Sequence, residues 1–127
     1  HKLARKSRIA PADLNGENFI AFDQNIPTRR FIDGLLKADG ATVNITMEFD
    51  NVELLKRAVE VGSGIGILPL ENVKAEVEYG GLSYIRFRNP ETWKRPVAII
   101  RRRGKAPSPA ERMFLAILRT DPGKEEA

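Results

Sequence analysis

Between Val43 and Pro69 the sequence changes its hydrophobic period twice, and that succession leaves few folds open. Val43, Ile45, Met47 and Phe49 alternate with Asn44, Thr46 and Glu48, the period-two signature of a half-buried strand. Asp50-Asn51-Val52-Glu53 then reads as a capping box, with Asp50 accepting from first-turn N–H groups and Glu53 reaching back. Val52, Leu55 and Val59 follow on one helical face, with Leu54 and Ala58 beside it. Gly62-Ser63-Gly64 stops the helix, and Ile65-Gly66-Ile67-Leu68-Pro69 is a short apolar strand that ends at its proline. Strand, helix and strand joined by such short turns predict a parallel βαβ unit.

The same alternation extends in both directions. Phe19-Ile20-Ala21-Phe22 reads as a buried strand, and Asn25-Ile26-Pro27-Thr28 turns the chain into a helix with proline near its start, where the missing N–H costs nothing. Phe31, Ile32, Leu35 and Leu36 form the apolar face of that helix, and Gly40 ends it. Beyond a Gly80-Gly81 turn, Leu82, Tyr84, Ile85 and Phe87 predict a fourth strand whose alternation breaks at Tyr84-Ile85. Val97-Ala98-Ile99-Ile100 predicts a fully apolar strand between Arg95 and Arg101-Arg102-Arg103. Ser108-Pro109-Ala110-Glu111 opens a last helix, with serine at the N-cap and proline at the first helical position. Its face is Ala110, Met113, Phe114, Ile117 and Leu118, and the polar tail from Pro122 is expected to fray. The expected class is α/β, with a mostly parallel sheet flanked by helices.

Composition removes several classes of function. The 127 residues include no cysteine, so disulfides and thiolate metal sites are out of reach and a reducing, cytoplasmic setting fits. No metal site and no cofactor are expected. His1 is the only histidine, and Ser7, Ser63, Ser83 and Ser108 lie in no nucleophile elbow. Asp23, Asp50 and Glu71 lie at or beyond strand ends, but no spacing pairs them, so no catalytic residue is assigned and an enzyme is not expected. The balance of 21 Lys+Arg against 17 Asp+Glu, a net +4, leans mildly towards an anionic ligand without demanding nucleic acid. No apolar run approaches the roughly 20 residues of a membrane-spanning helix, and no membrane partner is expected. The opening lacks both a methionine and the apolar stretch of a secretory leader, which suggests an excerpt or a mature form.

Position gives the clearest functional pointer. Ligands of open α/β sheets bind outside the carboxyl ends of the strands. Two strand-to-helix turns qualify, Asp23-Gln24-Asn25-Ile26-Pro27-Thr28 and Asp50-Asn51, and the small residues of Ser63-Gly64-Ile65-Gly66 allow close backbone approach. N–H groups of the helix starting near Thr28 suit a carboxylate or another anion. Each turn also has a plain structural reading, and for Asp50 the cap alone suffices. The glycines at 62, 64 and 66 follow a helix and open a strand, the reverse of a dinucleotide-binding loop. Arg101-Arg102-Arg103 with Lys105 lacks an aromatic platform or a recognition helix and reads as a solvated strand end, while Trp93, between Pro90 and Pro96, reads as an apolar anchor.

In order along the chain, these pieces resemble the effector-binding domain of LysR-type transcriptional regulators. His1-Lys2-Leu3-Ala4 is similar to a recurrent His-Pro-Leu-Ala, departing from it at Lys2. Phe19-Ile20-Ala21-Phe22 and Thr28-Arg29-Arg30-Phe31-Ile32-Asp33 resemble the next strand and helix. Met47-Glu48-Phe49-Asp50-Asn51 through Val59-Glu60-Val61-Gly62-Ser63-Gly64-Ile65-Gly66-Ile67-Leu68-Pro69 is the most specific piece. Gly80-Gly81-Leu82, Arg95-Pro96-Val97 and Ser108-Pro109-Ala110-Glu111 resemble the closing segments.

The resemblance implies a type 2 periplasmic-binding-protein-like fold of two lobes with an inducer between them. Residues 1–127 would be a partial effector-binding domain, with about 7–88 as the second lobe and about 95–119 as the strand and helix returning to an incomplete first lobe. It further implies that Gln24, Asn25, Ile26, Pro27 and Thr28 face the effector, with Asp50 and Asn51 at the cleft edge and Gly64 and Ile65 below. Phe31, Leu35, Val43 and Ile45 would lie on a homo-oligomer surface, with burial on the domain's own sheet as the alternative for Phe31 and Leu35. DNA would be met only through a helix-turn-helix domain outside this chain. A solute-binding protein of a transport system, built on the same lobe, is the competing expectation. The apolar face of 97–100 and the last helix would lack a partner, so a dimer or larger assembly is expected.

Overall fold

The computed structural model describes residues 1–119, in two compact units, His1–Arg95 and a second beginning at Pro96. The polar tail from Pro122 lies outside the described residues.

The first unit opens with a 3-10 turn at Lys2–Arg5 that buries Leu3, then a short strand β1 at Arg8–Ile9. After a second 3-10 turn at Pro11–Leu14 comes β2, Asn18–Phe22, the centre of the fold. Phe19, Ile20, Ala21 and Phe22 are all buried, as expected for an apolar run covered on both faces. Helix α1 spans Pro27–Ala38, β3 spans Asn44–Phe49 and α2 spans Val52–Glu60. Short α3 occupies Lys74–Glu78 and β4 is Arg86–Phe87. A last 3-10 turn, Pro90–Trp93, stacks Trp93 on Phe87 with ring centroids 3.9 Å apart. All named strand pairs are parallel, β2 with β3 and β1 with β4, so the fold is the expected mixed α/β class.

Both helices lay their apolar faces on β2. Ile32 and Leu36 of α1, and Leu55 and Ala58 of α2, join Phe19 and Ile20 in one core with Leu3, Ile9 and Leu14. The glycine stop of α1 forms as expected. Gly40 takes a φ of 65°, and Gly40 N–H and Ala41 N–H donate to the carbonyls of Lys37 and Leu36, a Schellman closure that an L side chain at Gly40 would strain. Buried Lys56 is held by a triplet of acceptors: the Glu76 carboxylate at 2.7 Å, the Glu53 carboxylate at 2.9 Å and the Asn72 carbonyl at 3.1 Å. Its hydrogen bonds to the Glu76 and Glu53 carboxylates raise its pKa, outweighing the desolvation that lowers it.

Four expected features take a different form. β3 alternates in sequence, yet Ile45 and Met47 are 40% and 41% exposed and only Phe49 is partly buried. It pairs along one edge only, and the helices lean chiefly on β2. The segment 65–69 contributes a single bridge, Ile65 to Phe19, instead of a strand, although Ile65 exchanges two good hydrogen bonds with β2. The fourth strand shrinks to Arg86–Phe87, where its parallel partner β1 is itself two residues long. Residues 97–100 form no strand, and Val97 and Ile100 are each 94% exposed. An apolar run supplies a strand's side chains but not its ladder partner, and among the described residues no strand pairs with it.

The second unit's helix α4, Pro109–Arg119, starts as the sequence suggests. The Glu111 N–H donates to Ser108 Oγ at 3.2 Å, and the Ser108 N–H donates to the Glu111 carboxylate at 2.6 Å, a reciprocal capping box.

Candidate functional site

The parallel register decides where the two candidate loops go. Phe22 pairs with Phe49, so both strands end on the same edge of the sheet. The next N–H, that of Asp23, donates to the Phe49 carbonyl at 2.8 Å and ties the first loop to the end of β3. Residues 23–28 and 50–51 therefore leave the sheet side by side.

The first loop is fixed by its own hydrogen bonds. Asp23 Oδ1 accepts from the Asn25 backbone N–H and from Asn25 Nδ2, both at 2.9 Å. The Ile26 N–H donates to the Asp23 carbonyl, and the Arg29 N–H to that of Ile26, each at 3.0 Å. Asp23 is therefore occupied as an Asx-turn acceptor. Gln24 and Asn25 stay exposed, while Ile26 and Thr28 are half-buried.

The two helix starts on this rim differ. α2 is capped, but by Asn51 in place of the expected Asp50: Asn51 Oδ1 accepts from the Glu53 N–H at 2.7 Å. Asparagine serves as an N-cap about as well as aspartate, so the sequence allowed either register. Glu53 further neutralises the first turn of α2. α1 has Ile26 at its N-cap, no side-chain cap and no acid in its first turn, with Pro27 at the first helical position. Its positive end faces the rim unneutralised.

Two arginines that the sequence reading did not single out organise the rim. Arg29, 6% exposed, donates through its Nη1 to the Phe22 carbonyl at 2.7 Å and to the Glu48 carboxylate at 2.5 Å, and through Nε to Asp33 at 2.8 Å. It locks α1 to the carboxyl ends of β2 and β3. Desolvation lowers its pKa, and the Glu48 and Asp33 hydrogen bonds outweigh this and leave it raised, so the guanidinium stays charged. Arg95, at the end of the first unit, donates through Nη1 to the Thr28 hydroxyl at 2.6 Å. A contact across 67 positions leaves no local sequence signal. For Arg29 the only hint was a cation on the helix side next to two buried strand ends.

Gly64 and Ile65 lie elsewhere. The Ile65 N–H donates to the Asn18 carbonyl at 2.9 Å, which places both residues at the amino end of β2, away from Phe22. A Cβ on Gly64 would stand 2.5 Å from the Asn18 carbonyl oxygen, so the absent side chain serves strand approach. Of the expected surface residues, Phe31, Leu35 and Val43 are half-buried and Ile45 is exposed. A shallow groove lined by Gln24, Arg29, Ile45, Thr46, Met47 and Glu48 runs along the open side of β3. Among the described residues, no group of acidic or histidine side chains is placed to hold a metal ion, and no helix is long and apolar enough to cross a membrane.

Comparison with known proteins gives this geometry a family. The chain is 32% identical over 117 residues to a probable RuBisCO transcriptional regulator of Cyanophora paradoxa, covering 90% of this chain and 36% of that protein. It is 32% identical over 104 residues to a hydrogen peroxide-inducible genes activator of Pectobacterium carotovorum, covering 82% and 34%. The chain thus spans about a third of the length of these relatives. Among solved structures, the regulatory domain of Synechocystis CcmR, in complex with 2-PG, matches with a TM-score of 0.74 at 25% identity, covering 93% of this chain and 56% of that one. A family model described as the LysR substrate binding domain matches residues 1–122, and the chain belongs to that family.

Proposed function

We propose that this chain is the effector-sensing part of a LysR-type transcription regulator, and that a small anionic metabolite binds on the rim formed by Gln24, Asn25, Ile26, Pro27 and Thr28 with Asp50 and Asn51. The observation that carries the site is the in-register end of β2 and β3, which sets both loops on one edge of the sheet beside an uncapped helix start. The 2-PG complex of the matched regulatory domain supports a small-molecule effector. The family match and the regulators among the relatives favour this reading over a transport protein on the same lobe. A thiol-based response to peroxide would need a cysteine, and this chain has none.

Residues about 7–88 would form the second lobe and about 95–119 the segment returning to the first. Asn25 and Thr28 hydrogen-bond the effector and Asp50 and Asn51 border it, while Gly64 and Ile65, at the other end of β2, act through strand packing and not on the ligand. DNA is met through a separate domain, no cofactor takes part, and the protein works in the cytoplasm. Phe31, Leu35, Val43 and Ile45 belong to the surface on which two copies meet.

A panel of small carboxylates and phosphates, 2-PG included, titrated by calorimetry tests the site. At least one member should bind saturably, and Asn25→Ala with Thr28→Val should weaken it by about tenfold or more, the loss of one or two hydrogen bonds to a charged group. Unchanged affinity in that double variant would move the effector away from this rim.

A further inference from the structure

Arg95 enters no ion pair among the described residues, although exposed Lys94 beside it pairs with Glu91 at 2.7 Å. Its hydrogen-bond partner among the described residues is the Thr28 hydroxyl, on the rim that the proposed function assigns to the effector. A hydroxyl oxygen can accept twice but has a single proton to donate. With Arg95 occupying an acceptor position, the remaining proton of Thr28 is free to point away from the guanidinium, and no acceptor among the described residues takes it. The guanidinium itself has five N–H donors and no acceptor. Arg95 therefore presents donors only, and Thr28 adds its proton beside one remaining acceptor position. The nearest carboxylate in sequence on this loop, Asp23, has its Oδ1 held by two N–H groups of Asn25.

We propose that Arg95 is a specificity-determining residue of the effector site. Together with Thr28 it selects an effector bearing an oxyanion, a carboxylate or a phosphate, and rejects the neutral amide or ester of the same shape. The inference rests on the rim being the effector site, and it adds a residue far away in the sequence. A neutral isostere replaces an acceptor by a donor or a blocked oxygen, leaving the guanidinium unpaired, and discrimination by polar mismatch is steep. Arg95 is also the last residue of the first unit, followed directly by Pro96.

The test is thermal shift and calorimetry on the whole chain against paired ligands: 2-PG, citrate, succinate and inorganic phosphate, and the diamide and dimethyl ester of succinate. Wild type should bind at least one oxyanion and neither neutral succinate derivative. Arg95→Gln should weaken that oxyanion about tenfold or more, and Arg95→Lys should recover part of the loss by keeping the charge. The melting temperatures of both variants show whether the fold is intact; Arg95 is exposed, so they should match wild type. Carboxylate-only or phosphate-only binding within the panel identifies which oxyanion is used. Equal binding of acid and neutral forms, or unchanged affinity in Arg95→Gln while Thr28→Val loses it, overturns the role of Arg95 and leaves the rim in place. Affinity unchanged in both variants, or no oxyanion bound at millimolar concentration, overturns the role and the rim together.

Discussion

At the scale of single residues, Gly64 separates two jobs that one glycine-rich loop can do. Its backbone lies against the start of β2, and the Ile65 N–H beside it donates to the same Asn18 carbonyl that an added Cβ would strike. The clash is with backbone, which has no rotamer to escape into. Gly64→Ala must push the 64–66 segment off β2 or strain it, at a cost of about 1–3 kcal/mol, as for overpacking in a core. Urea unfolding should show that loss in the midpoint with an unchanged slope. Below the transition the variant should keep wild-type affinity for any rim ligand, because Gly64 lies at the other end of the strand. Full stability in this variant would remove the packing role. The same distinction explains what the sequence could say about the site. A motif with several glycines announces close approach, but it does not say whether a ligand or a neighbouring strand comes close. Arg95 and Arg29 carried no such signal, because what makes them important is a partner, the Thr28 hydroxyl and the Phe22 carbonyl, that only the fold brings near.

At the scale of elements, most of the chain was legible wherever side-chain period and cap agree. α1, α2 and α4 lie where the amphipathic spacing puts them, and α4 has the Ser108–Glu111 box its sequence spells. Strands were harder, because a strand is half its own sequence and half its neighbour. Buried β2 was plain, edge strand β3 kept its alternation but little of its burial, and 97–100 had the right side chains and no ladder. The start of α2 shows how fine the remaining ambiguity is. Asp50 and Asn51 are adjacent and both are good caps, and a shift by one residue decides which of them is free to face a ligand. Because Asn51 accepts from the Glu53 N–H, Asn51→Ala should lower stability by about 0.5–2 kcal/mol, whereas Asp50→Ala should leave it within roughly 0.5 kcal/mol of wild type. Chemical unfolding of the two variants reads the difference directly, and a reversed order would restore the Asp50 capping box.

At the scale of the whole molecule, the core and the exposed apolar surface are unevenly shared. Among the described residues, every buried hydrophobic one lies in the first unit, His1–Arg95, and α4 of the second buries none. Val97 and Ile100 are 94% exposed, Met113 is 70% and Phe114 is 61%. Contiguous apolar surface of more than a few hundred Å² is uncommon on a monomer and marks a place where another surface docks. On the lobe assignment proposed above, 97–100 and α4 would belong to the segment returning to the first lobe, and their exposed apolar side chains suit a partner surface. That surface should recruit another copy of the chain. Sedimentation velocity at micromolar concentration should therefore show a dimer or larger species, and Phe114→Glu with Met113→Glu should move the distribution towards monomer by placing charge on that face. The second assembly surface is tested separately: Ile45→Lys charges the open side of β3, which charged side chains protect from edge pairing, and at 40% exposure it should do so without cost to the melting temperature. If only Ile45→Lys dissociates the chain, the edge of β3 is the contact and the face of α4 is not. If only the α4 variant does, the order is reversed. A wild-type chain that sediments as a single monomer across that range would show that neither face recruits a copy, and that the exposed side chains of 97–100 and α4 are tolerated in water.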